Sequence, residues 1–149
     1  MNFQSTIIAL FSLAILLTGC ATTSKQPSLS NAVITPNMLN PGDTAVITVH
    51  VEDEFGIVKQ VNGIVDEDGT IAFVFKDDGE GADGVAGDGI WTIKTEVPFN
   101  APPGVFNFKV EGLNDSGEII VIHDENKEAI PLATQFKLTI QYPAQNSTE

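Results

Sequence analysis

The amino-acid sequence predicts an all-β domain, built as an antiparallel β-sandwich of seven or eight strands. Short runs in which apolar and polar residues alternate recur along the chain, as they do in strands with one buried face. Turn-forming residues separate these runs at intervals of roughly ten residues. Beyond the first 20 residues, no segment has the spacing of an amphipathic helix.

The predicted strands follow in order from these runs. The clearest is 44–51, in which every second residue is apolar. Gly63 interrupts a weaker run and predicts a bulge at that point. Prolines between 98 and 103 end strand structure there, and 123–133 is predicted to be a polar loop. The full set of predicted strands is 32–35, 44–51, 57–65, 70–75, 90–97, 105–111, 118–122 and 136–140.

The amino-terminal segment has the pattern of a secretory leader. Residues 7–17 form a largely apolar run of 11 residues. A membrane span needs about 20 residues, so this run is typical of the h-region of a signal peptide. The sequence Leu17-Thr18-Gly19-Cys20 resembles the bacterial lipobox. This resemblance implies that the thiol of Cys20 is diacylated and that Cys20 becomes the amino terminus; the alternative is an ordinary cleaved signal peptide with an incidental cysteine.

The lipobox resemblance also implies a location. Two or more acyl chains hold a protein durably on a membrane without spanning it. Ala21, directly after the cysteine, implies sorting to the outer membrane of a Gram-negative bacterium. The small, polar residues that follow predict a flexible tether. The expected organisation is a signal peptide at 1–19, the lipidated Cys20 and tether at 20–31, the sandwich at 32–142 and a polar tail at 143–149.

The charge of the chain limits the partners that it can take. The formal net charge is −13, from 20 acidic residues and seven basic ones. Such a surface argues against nucleic acid and against adsorption to anionic lipid through a basic patch. Eight of the 20 acidic residues fall between Asp66 and Asp88, and this concentration makes cation binding worth considering.

A stretch of 13 residues, 77–89, joins two predicted strands that we expect to be neighbours, 70–75 and 90–97. Loops of this length are uncommon and tend to be functional or disordered. Five glycines allow sharp turns, but five carboxylates held close together oppose folding. Ca²⁺ removes that opposition because it binds six to eight oxygen ligands. The sequence therefore predicts a Ca²⁺ site with the candidate ligands Asp77, Asp78, Asp83 and Asp88.

Simpler interpretations of the acidic residues stay open. The loop is equally consistent with a solvated connection in which Asp-Gly pairs only form turns. Its spacing is not that of an EF-hand, since no glutamate stands at the twelfth position. The run Glu52-Asp53-Glu54 is either a second acidic cluster or a solvated turn.

The loop also carries a resemblance. Residues 77–92 resemble a DDG…GD…AGDG-aromatic-T signature of bacterial exported immunoglobulin-like domains. The phrases at 40–44 and 101–104 fit the same kind of domain. The resemblance implies an immunoglobulin-like β-sandwich and export, and it implies little about the ligand.

Function is predicted by class only. The chain has no Gly-x-Ser-x-Gly, His-Glu-x-x-His or phosphate-binding glycine motif, and its only cysteine is the predicted lipidation site. We therefore expect a binding module and not an enzyme. The expected partners are the membrane, through the lipid, and an envelope protein or polysaccharide. The alternatives are a structural subunit of an envelope secretion or surface-polymer assembly, and a small hydrolase that uses two carboxylates.

Overall fold

The computed structural model describes residues 25–142, which contain β-strands and no helix. The all-β prediction is confirmed for this range, and it contains no helix of the length and apolar character needed to cross a membrane. The predicted signal peptide, Cys20 and the polar tail lie outside the described residues. The strands are β1 (Ser28–Thr35), β2 (Met38–Leu39), β3 (Thr44–Glu52), β4 (Gln60–Val65), β5 (Asp68–Phe75), β6 (Ile90–Glu96), β7 (Gly104–Leu113), β8 (Val121–His123), β9 (Ala129–Pro131) and β10 (Ala133–Ile140).

Two main sheets pack against each other in a sandwich-like arrangement. One has the order β1-β3-β6, and the other has the order β2-β10-β7-β4-β5. Strands β8 and β9 form a separate small sheet. Every pairing is antiparallel except that of β2 with β10, which is parallel.

The core lies between the two main sheets. Strand β3 buries each residue that its alternation assigns to the inner face, including Ile47 and Val49. Phe108 of β7 lies at the centre of the aromatic packing, with ring centroids 5.1 Å from Phe136 and 5.9 Å from Phe73. Complete burial of a large apolar side chain contributes about 1.5–3 kcal/mol. The inner faces of the two sheets therefore supply most of the stability of the domain.

The first strand begins four residues before the predicted boundary, at Ser28. Its pairing with β3 shifts between Ser30 and Val33, and Asn31 in this interval has a φ of 49°. The irregularity breaks the alternation, so the sequence pattern shows only the second half of the strand. Residues 28–31 therefore belong to the sandwich and not to the tether.

The expectation that the strands flanking the acidic loop are neighbours is wrong. Strand β5 pairs with β4, whereas β6 pairs with β3 in the other sheet. A single bridge, between Lys76 and Thr92, joins the two chain segments at the base of the loop. Alternation identifies the inner face of a strand but not the sheet to which it belongs. The acidic loop is thus a crossover between sheets and not a hairpin.

The strand directions define two ends of the sandwich. We call the end at which the chain runs into β1 the proximal end, and the opposite end the distal end. Ser28 pairs with Glu52, and Ile90 pairs with His50, so β3 ends and β6 begins at the proximal end. The pairing of β4 with β7 and the bridge at the base of the acidic loop place 53–59, 77–89 and 114–132 there as well.

Candidate functional site

Backbone hydrogen bonds fix both ends of the acidic loop. The N–H of Lys76 donates to the carbonyl of Thr92 at 3.0 Å, and the N–H of Thr92 donates back at 2.7 Å. At the end of the loop, the carbonyl of Gly89 accepts from the N–H of Val51 at 2.8 Å. The loop is therefore tied to both sheets, and its geometry depends on how the sheets pack.

Asp77 folds the second half of the loop back onto the first. Its Oδ1 accepts from the N–H of Gly87 at 2.7 Å, and its Oδ2 accepts from the N–H of Gly89 at 3.2 Å. Gly89 has a φ of 82°, and a Cβ there would lie 2.9 Å from the carbonyl oxygen of Val51. Only glycine fits this position without strain, because it combines a left-handed backbone with a close approach to another strand.

Asp83 and Asp88 complete a carboxylate cluster with Asp77. Asp83 is only 6% exposed, and its Oδ2 accepts from the N–H of Gly79. Asp88 accepts from the N–H of Ile90 at 2.8 Å. One oxygen from each of the three carboxylates lies within 4.8 Å of the others. The structure thus brings together three of the four predicted ligands, although Asp83 follows Asp77 by six positions in the sequence and Asp88 follows it by 11.

Asp78, the fourth predicted ligand, does not belong to this cluster. Its carboxylate accepts from the N–H of Glu80 at 2.9 Å and forms an ion pair with Lys76 at 3.3 Å. The hydrogen bond from Glu80, followed by the contact with Lys76, holds the pKa of Asp78 below its ordinary value. Asp78 therefore stabilises the turn at the start of the loop on the solvent side.

Asp53 is the residue that sequence reasoning did not assign to the site. It lines a cavity of about 340 Å³ together with Asp77, Asp88 and Trp91. Its Oδ2 accepts from the N–H of Val58 at 2.6 Å. Its Oδ1 is buried and has no hydrogen-bond partner among residues 25–142. The sequence shows an acidic run after β3, but only the topology shows that this run and the acidic loop lie at the same end.

The charges of the site suit a hard cation. In the part of the chain that the structure describes, no lysine forms an ion pair with any of the three clustered carboxylates. The backbone N–H groups that donate to these carboxylates leave some of the carboxylate lone pairs free, because each carboxylate oxygen has two lone pairs. Ca²⁺ binds carboxylate, carbonyl and water oxygens. Asp77, Asp83 and Asp88 would supply the charged ligands, and Asp53 lines the adjoining cavity without belonging to this group of three.

Comparisons with known proteins bear on the fold alone. No protein-family model matches the chain, and no curated protein matches its sequence. An endo-β-1,4-mannanase from Thermotoga petrophila is similar in structure, with a TM-score of 0.52 and 12% identity over 83% of this chain and 22% of the mannanase chain. The chain thus corresponds to less than a quarter of that enzyme's length.

Two further solved structures are more distant. An alkylpurine DNA glycosylase from Pseudomonas fluorescens has a TM-score of 0.45 and 16% identity, over 77% of this chain and 30% of that chain. A Niemann-Pick type C2 protein from the Japanese carpenter ant has a TM-score of 0.44 and 14% identity, over 80% of this chain and 96% of that chain. Neither likeness is close enough to support an argument.

Proposed function

We propose that this protein is a lipid-anchored binding module of the cell envelope, with an immunoglobulin-like body and an acidic loop that Ca²⁺ stabilises. The observation that carries the proposal is the convergence of Asp77, Asp83 and Asp88 within 4.8 Å. The anchor rests on the lipobox resemblance around Cys20, and the body rests on the order of the strands.

The strand order supports an immunoglobulin-like topology. The sheet β1-β3-β6 corresponds to strands A, B and E of that fold, and the facing order β10-β7-β4 corresponds to G, F and C. Strand β5 then takes the position that follows C at the edge of the same sheet. The acidic loop replaces the connection that in such domains leads across to strand E.

Calcium gives the acidic loop a physical role. An ion that binds the folded loop but not the unfolded chain stabilises the fold by RT ln(1 + [L]/Kd), which is about 1.4 kcal/mol at a tenfold excess over Kd. Extracellular modules bind Ca²⁺ with Kd values of about 10⁻⁴–10⁻³ M. At millimolar calcium, binding therefore stabilises the folded conformation of the loop.

The body of the domain suits binding at a sheet edge or through loops. Strand β6 pairs with β3 on one side, and its other side is bridged only at Thr92 within the described range. A free strand edge presents backbone N–H and C=O groups that an extended segment of a partner can pair with. An envelope protein or polysaccharide matches the acidic, anchored character of the chain, and nucleic acid does not.

Three measurements test the proposal. Mass spectrometry of the native protein should find diacylglycerol on Cys20 and no residues before it; a free thiol there contradicts the anchor. Calorimetry should detect heat when millimolar Ca²⁺ is added to the domain, with no comparable heat from Na⁺ at equal ionic strength. A pull-down from detergent-solubilised envelope should enrich a protein or glycan, and a consistently empty pull-down contradicts the binding role.

A further inference from the structure

The chain enters the domain at the end that carries the acidic loop. Ser28, the first residue of β1, pairs with Glu52, the last residue of β3. Just before the strand, the ammonium group of Lys25 lies 3.0 Å from a carboxylate oxygen of Glu52. The chain is therefore held at the proximal end from Lys25 onward.

The next residues strengthen this attachment. The side-chain amide of Gln26 donates to the carbonyl of His123 at 3.0 Å and accepts from its N–H at 2.7 Å. This pair of bonds resembles one step of a β-ladder between the incoming segment and strand β8. Pro27 is buried beside it. Burial and paired hydrogen bonds disfavour swinging of this segment relative to the sandwich.

The proximal end is also the negative end of the domain. Thirteen of the 20 acidic residues lie in its segments 52–54, 77–89 and 114–128. Lys59 and Lys127 are the basic residues in its loops, Lys76 stands at the base of the acidic loop, and Lys25 joins them at the start of the described chain. The negative charge of the protein is therefore concentrated where the chain enters.

We propose that the proximal end is the surface that faces the lipid headgroups of the membrane carrying the anchor, and that its charge repels an anionic bilayer. This inference rests on the proposed anchor at Cys20. Five residue steps from Cys20 to Lys25 reach at most about 18 Å. The nine residues of β3 make the sandwich about 30 Å long. In the opposite orientation, with the distal end on the bilayer, the tether would have to span the length of the sandwich. That length of about 30 Å exceeds the reach of about 18 Å between Cys20 and Lys25.

The orientation leaves the distal end directed into the surrounding compartment. Phe99 lies at that end and is 79% exposed. The membrane-facing end is the more acidic one, but both ends carry an exposed aromatic side chain, because Phe55 at the proximal end is 61% exposed.

Energy transfer from tryptophan tests the orientation without native lipidation. The mature chain is coupled through Cys20, its only cysteine, to maleimide-headgroup lipid in phosphatidylcholine vesicles that contain dansyl-headgroup lipid, with EDTA present. Trp91, the only tryptophan, lies at the start of β6. The native chain should show transfer, and a chain carrying Trp91→Phe and Phe99→Trp should show much less, because its donor lies about 20 Å farther along the strand direction. Equal or greater transfer from the second chain overturns the orientation.

If the double variant does not fold, a chain with Phe99→Trp alone serves instead. It retains Trp91, and its overall transfer efficiency should be lower than that of the native chain. Unchanged or increased efficiency overturns the orientation in this format too.

Anionic vesicles test the repulsion. Replacing part of the phosphatidylcholine with phosphatidylglycerol should lower transfer from Trp91 at low salt. Transfer should recover at about 1 M salt, where the screening length falls to about 3 Å. Transfer that does not depend on lipid charge overturns the repulsive part of the proposal.

Failure here is distinguishable from failure of the proposed function. Mass spectrometry of native Cys20 decides the anchor, and the chemically coupled chain decides the orientation. Removing the attachment with Lys25→Ala and Gln26→Ala should bring the transfer values of the two donor positions closer together. The matched changes Lys137→Ala and Gln135→Ala on β10 should not; identical effects of the two pairs contradict the role of the Lys25 and Gln26 contacts.

Discussion

The ring of Phe108 lies directly against the backbone of Gly63. A Cβ at Gly63 would lie 2.5 Å from Cε1 and from Cζ of that ring, and 2.9 Å from the ring of Phe75. Gly63 itself pairs in register with Phe73 on one side and Val110 on the other. The glycine therefore makes room for the central aromatic side chain, and the bulge predicted at this position lies one step later, between Ile64 and Val65.

This packing predicts a large effect from one methyl group. Gly63→Ala should lower the free energy of unfolding by about 1–3 kcal/mol, because the core rings have to shift to accept the added group. Urea unfolding of the domain gives the measurement. Gly69→Ala is the matched control, since a Cβ at Gly69 meets nothing within 4 Å. Equal stability of the two variants contradicts the packing account.

Calcium should raise the melting temperature of the domain through the clustered carboxylates of Asp77, Asp83 and Asp88. The carboxylate of Asp78 should not be needed for this increase. Millimolar Ca²⁺ should raise the melting temperature of the native domain, and Asp83→Asn or Asp88→Asn should abolish that increase. Each amide keeps an oxygen to accept the local N–H but removes a charged ligand. Asp78→Asn should retain the increase, because the Asp78 carboxylate contacts Lys76 and Glu80 instead.

The comparison of melting temperatures with and without calcium makes the result specific. A loss of stability that is the same in EDTA and in calcium indicates only a damaged loop. No increase in the native domain at about 10 mM Ca²⁺, a tenfold excess over a Kd of about 10⁻³ M, removes the site, because the expected gain of about 1.4 kcal/mol is within reach of the measurement.

Asp53→Asn should affect the melting temperature differently in EDTA and in calcium. In EDTA the variant should melt at the same temperature as the native domain or above it, because the substitution removes a partly buried negative charge from the cavity that Asp77 and Asp88 also line. In calcium it should gain less than the native domain, because a negative charge is lost from the cavity that Asp77 and Asp88 also line. Glu54→Gln, on the exposed neighbour, should behave as the native domain does. Equal destabilisation in both buffers indicates that Asp53 only accepts from the N–H of Val58.

The sequence predicts the faces of the strands better than their partners. Period-two alternation identifies the inner residues of β3, whose inner face is buried throughout, and those of β6, whose inner face is buried or half-buried. It does not reveal that these two strands pair with each other, since long-range pairing depends on how the whole chain packs. Asn31 shows a second limit, because a local irregularity hides half of β1.

For the candidate site too, the sequence predicts one part and leaves another unpredicted. Composition identifies the acidic loop, but it does not separate the buried Asp83 from the exposed Asp78, although both stand beside glycine. Hydrogen bonds from particular N–H groups decide which carboxylates turn inward. Asp53 joins them from another loop, so no local pattern in the sequence connects it to the site.

At the distal end, Glu67 predicts a pH dependence that is separate from the calcium site. Its two carboxylate oxygens accept from the N–H of Asn107 at 2.9 and 3.0 Å, and Oε1 also accepts from the side-chain amide. The backbone hydrogen bond from Asn107 is the main cause that lowers the pKa of Glu67 from its ordinary value of 4.5. Because the folded-state pKa is lower than the unfolded one, the contribution to stability is complete above pH 4.5 and disappears as the pH falls through the folded-state pKa.

The predicted loss of stability at acidic pH can be tested by urea unfolding in EDTA at a series of pH values. The native domain should be more stable than Glu67→Gln near neutral pH, because a carboxylate accepts N–H groups more strongly than an amide does. The difference should narrow as the pH falls from 4.5 through the folded-state pKa, because Glu67 takes up its proton in the unfolded chain before it does so in the folded domain. Glu125→Gln is the control, since the Glu125 side chain forms no hydrogen bond within residues 25–142. A difference that stays constant through the acidic range, or one that widens, contradicts the charge-assisted contact between Glu67 and Asn107.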